Sequence, residues 1–435
     1  MCTTSIETLY RIFRSCKGVT TDSRNCPAGS LFFALKGENF DGNTFAAKAL
    51  EAGCAYAVVD SPEHKPAGDT RYPLVDDSLQ TLQQLARLHR RTLGIPLLGI
   101  TGTNGKTTTK ELIAAVLSEH INVLYTQGNL NNHIGVPLTL LGMKPEHQLA
   151  VVEMGASHPG DIRELVEIAE PNYGLITNVG KAHLQGFGSF EGVVRTKGEL
   201  YDYLRRKGGC TVFLNDDDPH LKAIATGLQT VCYGNRQGLY VSGHATACSP
   251  FLSFEWQAAG QTAAQKVQTQ LIGAYNLPNA LAAVTIGRYF GIGPARINHA
   301  LENYVPRNNR SQLKRTGSNT LIVDAYNANP TSMQAALENF RDMQAENKML
   351  ILGDMRELGA DSHAEHCRIV EYMQECGFTN VRLVGAEFTA TGADYPCYPD
   401  AKALIDELKK AKPTGQTILI KGSNSMQLAT VAEYL

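Results

Sequence analysis

The sequence predicts an α/β protein of three domains, and three observations lead there. Its 435 residues exceed what one hydrophobic core usually organises. Short apolar, strand-like runs alternate with helical patterns, the rhythm of parallel sheets covered by helices. That rhythm breaks and restarts near residues 78 and 306, which divides the chain into 1–78, 79–306 and 307–435.

In the first segment LFFAL (31–35) and AYAVV (55–59) read as strands, with FAAKALEAG between them as a helix ending at Gly53. From Asp77 the helical pattern SLQTLQQLARLHRRTL runs into PLLGIT (96–101), a strand that Pro96 can start. Strands LAVVE (149–153), YGLIT (173–177) and TVFLN then alternate with helices near 159–169 and 190–206. Residues 229–272 change character: LSFEW and KVQTQLI alternate, as hairpins appended to the central domain would. Two helices follow, near 276–290 and 294–303. The polar PRNNRSQ (306–312) reads as a linker, after which TLIVD (320–324), KMLIL (348–352), VRLVG (381–385) and TILIK (417–421) restart the alternation.

Hydrophobic residues at 43% and charged ones at 19% provide a real core and exclude a disordered, collagen-like or coiled-coil chain. Forty Lys plus Arg against 42 Asp plus Glu leave a net charge of -2, which argues against a general nucleic-acid or membrane-surface binder. Any anionic ligand needs a local site. The ten cysteines form no C-x-x-C pair and no zinc-like spacing, as expected of reduced thiols. No run is apolar enough to span a membrane, and Glu7, Arg11 and Arg14 interrupt any signal-peptide core. The expectation is a soluble cytoplasmic protein, monomeric by default.

The strongest local signal is GITGTNGKTTTKELIAAVL, from Gly99 to Leu117: an apolar strand, a glycine-rich turn, then a helix. Small residues Gly102, Thr103, Asn104 and Gly105 expose backbone N–H groups toward phosphate, and the helix N-terminus adds positive potential. Lys106 then meets the outer phosphates, Thr107 can ligate magnesium, and Thr108 continues the loop. Strict Walker spacing would need glycine at position 100, which is Ile100 here. The reading is a nucleoside triphosphate site.

Glu153 ends the strand LAVVE and His183 follows the strand YGLIT, so both should face the carboxyl edge of the sheet, where open α/β sheets bind ligands. Beside a phosphate loop, that placement favours magnesium ligation over two ordinary polar side chains. Lys197 and Glu199 in RTKGEL fall on a helix that the same topology brings near, although on the residues alone a solvated helix face is the favoured reading. Asn276 and Asn279 stand three apart at a helix start, where they could read the edges of a base or where Asn276 could simply cap. Asp324, Tyr326, Asn327 and Asn329 follow one strand of the last segment, Asp354 and Glu357 another, and Lys421 and Ser423 a third. Three polar loops after three strands suggest a second binding edge turned toward a cleft.

Together TDSR, GSLFFALKGENFDGNTF, TGTNGKTTTK, GNLNNHIGVPLTLL, EMGASHPGDI, ITNVGKAHL, KGEL, DAYNANPTSM, GDMRELG and KGSNSM resemble the Mur ligase family over nearly the whole chain. The resemblance implies an N-terminal domain for a UDP-sugar peptide, a central P-loop ATPase-like domain and a Rossmann-like C-terminal domain. It also implies magnesium, with two ions expected. GNLNNHIG, DAYNANPTSM and GDMRELG are similar to the members that add D-alanyl-D-alanine to UDP-N-acetylmuramoyl-tripeptide in peptidoglycan synthesis. By this resemblance Asp22, Ser23 and Arg24 lie near UDP, and Asn131 and Asn132 near the growing peptide. Tyr326, Asn327 and Asn329 lie on the substrate side. Thr107, Glu153, His183 and a carbamylated Lys197 serve the metal sites, and Asn276 and Asn279 face adenine. Arg310, preferred to Arg307, and Asp324 reach the phosphates and ribose. Three positions depart from the family pattern: Tyr275, where many members have histidine; His133, where an acidic residue is frequent; and Asn43, where histidine often follows DG.

The implied chemistry is ATP-dependent amide formation through an acyl phosphate. A ligase adding a single amino acid is the nearest rival, and a P-loop switch or transport ATPase is a rival of another class. Two further α/β domains around the phosphate loop suit a three-substrate enzyme better than a switch.

Overall fold

The structure, a computed structural model, describes residues 3–306 and 310–435. It contains three main sheets. In the first segment β1 (Val19–Thr20), β2 (Leu31–Phe33) and β3 (Tyr56–Val58) form a small parallel sheet in the order β1-β2-β3. A helix absent from the sequence reading, Ile6–Ser15, covers it; Ser5 caps its start, and Leu9 and Phe13 face inward. Asn43, one of the departures, is buried and donates to both Asp41 and Asp60.

The helix Ser78–Leu93 starts at the side-chain cap of Asp77 and stops at Gly94, whose φ of 63° terminates the last turn. It joins the first segment to the second physically as well as along the chain. Leu9, Phe13, Leu31 and Leu82 belong to one continuous core with Leu97, Val136 and Ala150.

The central sheet has nine strands: β4 (Leu97–Thr101), β5 (Val123–Tyr125), β6 (Leu149–Glu153), β7 (Tyr173–Ile176), β8 (Thr211–Asn215), β9 (Gln229–Gly234), β10 (Val241–Cys248), β11 (Phe251–Ala258) and β12 (Gln265–Ile272). Their order is β12-β11-β10-β9-β8-β7-β4-β6-β5. All five residues of β4 and of β6 are buried, because helices cover both faces of the parallel part. The region expected as appended hairpins forms them, and they extend this sheet. Strand β10 pairs parallel with β9, and β10, β11 and β12 then continue antiparallel. Along β11 alternate residues Leu252, Phe254, Trp256 and Ala258 turn inward, as period-two pleating requires.

The chain leaves β4 toward β6 and β5 and later returns to its other side as β7. That reversal opens a crevice at the carboxyl ends of β4, β6 and β7.

The last segment forms a six-stranded sheet from β13 (Gln312–Arg315), β14 (Thr320–Asp324), β15 (Lys348–Gly353), β16 (Val381–Val384), β17 (Cys397–Tyr398) and β18 (Thr417–Lys421). The order is β13-β14-β18-β15-β16-β17, parallel except for the edge strand β13. Part of the supposed linker is therefore a strand. Ile272 at the end of β12 is buried in the core of this last sheet, with Phe251 packed against it, so an apolar contact anchors one unit to the other. The nine described cysteines are unpaired. Among the described residues no helix is long and apolar enough to cross a membrane.

Candidate active site

A cavity of about 770 Å³ lies where the carboxyl ends of the central and last sheets meet. That volume falls within the range of small-molecule sites. One wall is the phosphate loop. Gly102 has φ 142°, and a Cβ there would stand 2.0 Å from Thr177 Oγ1, so a side chain cannot be accommodated. Gly105, at φ 77°, leads into the helix Lys106–Ser118, which has no side-chain cap. Two loop amides are already used: Thr103 N donates to Asn178 O and Asn104 N to Asn178 Oδ1. The first turn, from Lys106 onward, keeps N–H groups without intrahelical partners, as an anion site needs.

Lys106 Nζ folds back on its own loop, donating to Gly102 O at 2.8 Å and Thr103 O at 3.0 Å. Burial, helped by the Arg310 charge and opposed by Glu153, holds it below the ordinary lysine range. Thr107 Oγ1 donates to Glu153 Oε1 at 3.2 Å, and Asn131 Nδ2 donates to the same oxygen at 2.8 Å. Glu153 Oε2 is buried without a hydrogen bond, with Lys110 Nζ 3.8 Å away. An orphaned carboxylate oxygen beside a hydroxyl is a fitting place for a hard cation such as magnesium. Among the described residues no three His, Cys, Asp or Glu side chains cluster into a metal cage.

His183 lines the cavity from the turn before the helix Leu184–Phe187, with φ 51°. Its Nδ1 makes a close contact with Glu357 Oε2 of the last segment, off the line of a hydrogen bond. The histidine contact holds the Glu357 carboxyl below its usual range, against the effect of burial. Lys197 is almost wholly buried and does not line the cavity. Its amine donates to Ala156 O at 3.3 Å and lies 5.0 Å from the Phe187 ring centroid. Burial and then the charge of Lys106 push it well below the usual lysine range, although Asp161 and Glu199 pull the other way. Glu199 caps the helix Asp161–Ala169, accepting from Gly160 N and Arg163 N.

Asn279 accepts from Thr109 Oγ1 at 3.0 Å and donates to Asn276 Oδ1 at 2.9 Å, and Asn276 donates to Ile272 O. Asn276 makes no side-chain cap, and both carboxamides line the cavity beside Gly105. Tyr275, also lining it, bonds through its hydroxyl to Ser311 Oγ at 2.9 Å.

The opposite wall comes from the last segment. The Arg310 guanidinium stacks 3.8 Å from the Tyr326 ring centroid, and Arg307 lies outside the described residues. Asp324 accepts from Ser311 N at 3.2 Å and pairs closely with the buried Lys421. Asn327 and Glu357 also line the cavity, whereas Asp354, Ser423 and Asn329 do not. Asp354 caps the helix at Glu387 and Phe388, Ser423 accepts from Arg356 N, and Asn329 caps the helix Pro330–Asp342. Asn129, Asn131, Asn132 and His133 form the remaining end. Asp22, Ser23 and Arg24 are elsewhere, on the loop after β1. Arg24 grips Asp22 there in a two-pronged pair that lowers the Asp22 carboxyl to about 2. Lys110 escaped the sequence reading: a lysine inside an apolar helix pattern gives no sign of the carboxylate it faces.

A strand-to-helix phosphate loop, an orphaned carboxylate and a second α/β sheet across one cavity define a nucleotide-dependent enzyme of several domains, and the chain belongs to the Mur ligase family. The family's "Mur ligase family, catalytic domain" matches residues 15–90, its "middle domain" 100–287 and its "glutamate ligase domain" 309–424. More particularly, the chain is 37% identical to the UDP-N-acetylmuramoyl-tripeptide–D-alanyl-D-alanine ligase of Bacillus subtilis (strain 168), covering 96% of this chain and 93% of that protein. Among solved structures it is similar to MurF from Acinetobacter baumannii, with TM-score 0.86, 29% identity and 99% and 98% of the two chains covered. It is also similar to the MurF ligase from Thermotoga maritima in complex with ADP, with TM-score 0.85, 26% identity and 97% of each chain covered.

Proposed function

We propose that the chain is the ATP-dependent ligase that joins D-alanyl-D-alanine to UDP-N-acetylmuramoyl-tripeptide, releasing ADP and phosphate. The observation that carries this reading is the single cavity in which the phosphate loop, Glu153, the Asn131–His133 end and the Arg310–Asp324 wall converge.

A carboxylate is a poor acylating agent. The γ-phosphoryl of ATP first passes to an oxygen of the tripeptide's terminal carboxylate; the bond to the β-phosphate oxygen breaks, and an acyl phosphate forms. Lys106, released from its loop carbonyls, and the free amides of the first helical turn neutralise the moving charge. Thr107, Glu153 and His183 would hold two magnesium ions, whose chemistry is charge neutralisation on the phosphates. Asn276 and Asn279 face the base, and Arg310 and Asp324 the phosphates and ribose. The dipeptide's α-amine, with a pKa near 8, is partly neutral at physiological pH. It attacks the acyl carbon, loses a proton, and inorganic phosphate leaves. Closing the cavity between two domains keeps water from the acyl phosphate.

Lys197 is suited to carry a carbamate. Burial favours the neutral form of this amine, the form that attacks carbon dioxide, making an N–C bond and releasing one proton. The product is an anion that can orient the metal-side residues. Asp22, Ser23 and Arg24 belong to the UDP end, and Asn131, Asn132, Tyr326 and Asn327 to the peptide and dipeptide. We assign residues 1–78, 79–306 and 307–435 to UDP-sugar peptide, ATP and closure over the nucleotide respectively. One chain supplies every group, so a monomer suffices, and ATP and a UDP-sugar as substrates imply work in the cytoplasm.

Phosphate release from ATP tests this reading. Turnover should need both UDP-N-acetylmuramoyl-tripeptide and D-alanyl-D-alanine. Turnover without either substrate, or with single amino acids in place of the dipeptide, would overturn it.

A further inference from the structure

The tip of the phosphate loop is held from two sides. Asn104 O accepts from Thr177 Oγ1 at 2.7 Å and Asn178 Nδ2 at 3.0 Å, and Asn104 N donates to Asn178 Oδ1 at 3.0 Å. These bonds fix its backbone to the end of β7. Its side chain turns the other way, to Asn329, 225 residues further along the chain.

Asn329 is 3% exposed and heads the helix Pro330–Asp342 in a reciprocal capping box: its Oδ1 accepts from Ser332 N at 2.9 Å while Ser332 Oγ accepts from Asn329 N at 3.1 Å. The box decides which carboxamide atom is the oxygen, so Nδ2 must face the loop. It donates to Asn104 Oδ1 at 2.7 Å, and Asn104 Nδ2 returns a longer bond of 3.4 Å to Asn329 Oδ1. The same helix end grips the next loop as well. Thr331 Oγ1 accepts from Lys181 N at 3.2 Å, and a Cβ on Gly180 would stand 3.0 Å from that oxygen. Withdrawing the helix would leave these groups to water and free the loop tip on that side.

We propose that Asn329 is a positioning residue for the phosphate loop: through its carboxamide pair with Asn104, docking of the C-terminal domain sets nucleotide affinity. Asn329 acts through Asn104 and does not touch the dipeptide. By linkage, bound nucleotide tightens docking by the same factor. The proposal deepens the ligase reading on its nucleotide side and rests on it for the substrates alone.

Two variants test it. Asn329→Ser keeps a good capping oxygen but is too short to reach Asn104. Asn104→Ala removes the partner and leaves the capped helix untouched. ADP affinity is measured by calorimetry, and the KM values for ATP and D-alanyl-D-alanine by phosphate release. Each variant should weaken ADP about 3- to 10-fold, the size expected for one buried hydrogen bond. The KM for D-alanyl-D-alanine should change less than about twofold, and the double variant should bind ADP no worse than the weaker single one. Unchanged ADP affinity in Asn329→Ser would overturn the proposal, as would losses that multiply in the double variant. A raised dipeptide KM with normal ADP affinity would instead put Asn329 on the substrate. If Asn329→Ser does not fold, Asn104→Ala with unchanged ADP affinity decides against the proposal equally. ADP binding does not depend on turnover, so failure of the ligase reading would show separately, as wild-type protein that binds ADP but makes no amide.

Discussion

The two walls of the cavity are each firmly built but loosely joined. On the central side, Glu153 ends β6 directly beside Ile100 of β4, so the phosphate loop and the carboxylate grow from paired neighbours in a fully buried sheet. On the other side, Asp324 ends β14 in register with Lys421 on β18, and the two side chains form a nearly buried ion pair. Between the walls the connection changes character. It is apolar at Ile272, the last residue of the central sheet's antiparallel extension, and polar elsewhere along the cavity: Asn104 with Asn329, Lys181 with Glu365, His183 with Glu357 and Tyr275 with Ser311. Polar contacts can exchange with water at little net cost, whereas buried apolar surface cannot. The joint is therefore anchored by its apolar contact and releasable at its polar ones. Changes within a wall should damage chemistry or stability severely, and changes in the joint should be mild.

The central wall should show the largest effect. Lys106→Ala should lower turnover about 10³-fold, measured as phosphate release, because it removes the cation placed for the transferring phosphoryl group. A loss below tenfold would mean that the loop's amides carry the charge by themselves. In the other wall, Lys421→Met strands Asp324 in a mostly buried site and should cost about 3 kcal/mol in denaturant unfolding. A cost near zero would show that this wall is softer than its register suggests.

Lys197→Ala should follow, with turnover down about 10²-fold and partly restored by short carboxylic acids that replace the lost carbamate. The direction with pH is fixed by the lowered amine pKa. Below that folded pKa the amine is protonated and cannot add carbon dioxide; above it the neutral amine can. Carbamate occupancy, read by NMR with ¹³C-bicarbonate, should thus rise with pH and vanish in the variant. Near-normal turnover of Lys197→Ala would remove the carbamate from the mechanism.

These walls differ in how much of them the sequence displayed. LAVVE and TLIVD coincide with strands Leu149–Glu153 and Thr320–Asp324 because full burial writes an unbroken apolar run. The helix Ile6–Ser15 went unread although Ile6, Leu9 and Phe13 carry its periodicity, since a ten-residue helix at a chain end competes with few other signals. Strand Gln312–Arg315 was hidden for a physical reason: as an edge strand with only partly buried residues it has no hydrophobic pattern to show. At the site, residues that end a strand, such as Glu153 and Asp324, could be located from sequence. Contacts across the joint could not. Asn329 lies in the same loop just beyond Asn327, yet its side chain goes to a helix cap and to Asn104, a pairing that depends on how the two sheets dock.

The smallest predicted effect tests the joint itself. Lys181 Nζ reaches Glu365 Oε1 at 2.7 Å, but the lysine side chain is 44% exposed and Glu365 keeps a second partner, Arg368, at 2.7 Å. Removing Lys181 therefore leaves no unpaired buried charge. Lys181→Met should cost less than about 1 kcal/mol, weaken ADP by less than about threefold, and shrink to nothing as salt is raised. A loss of tenfold or more that persists at high salt would mean that the polar contacts of the joint are as firm as the walls, and the distinction between its anchored and releasable contacts would fail.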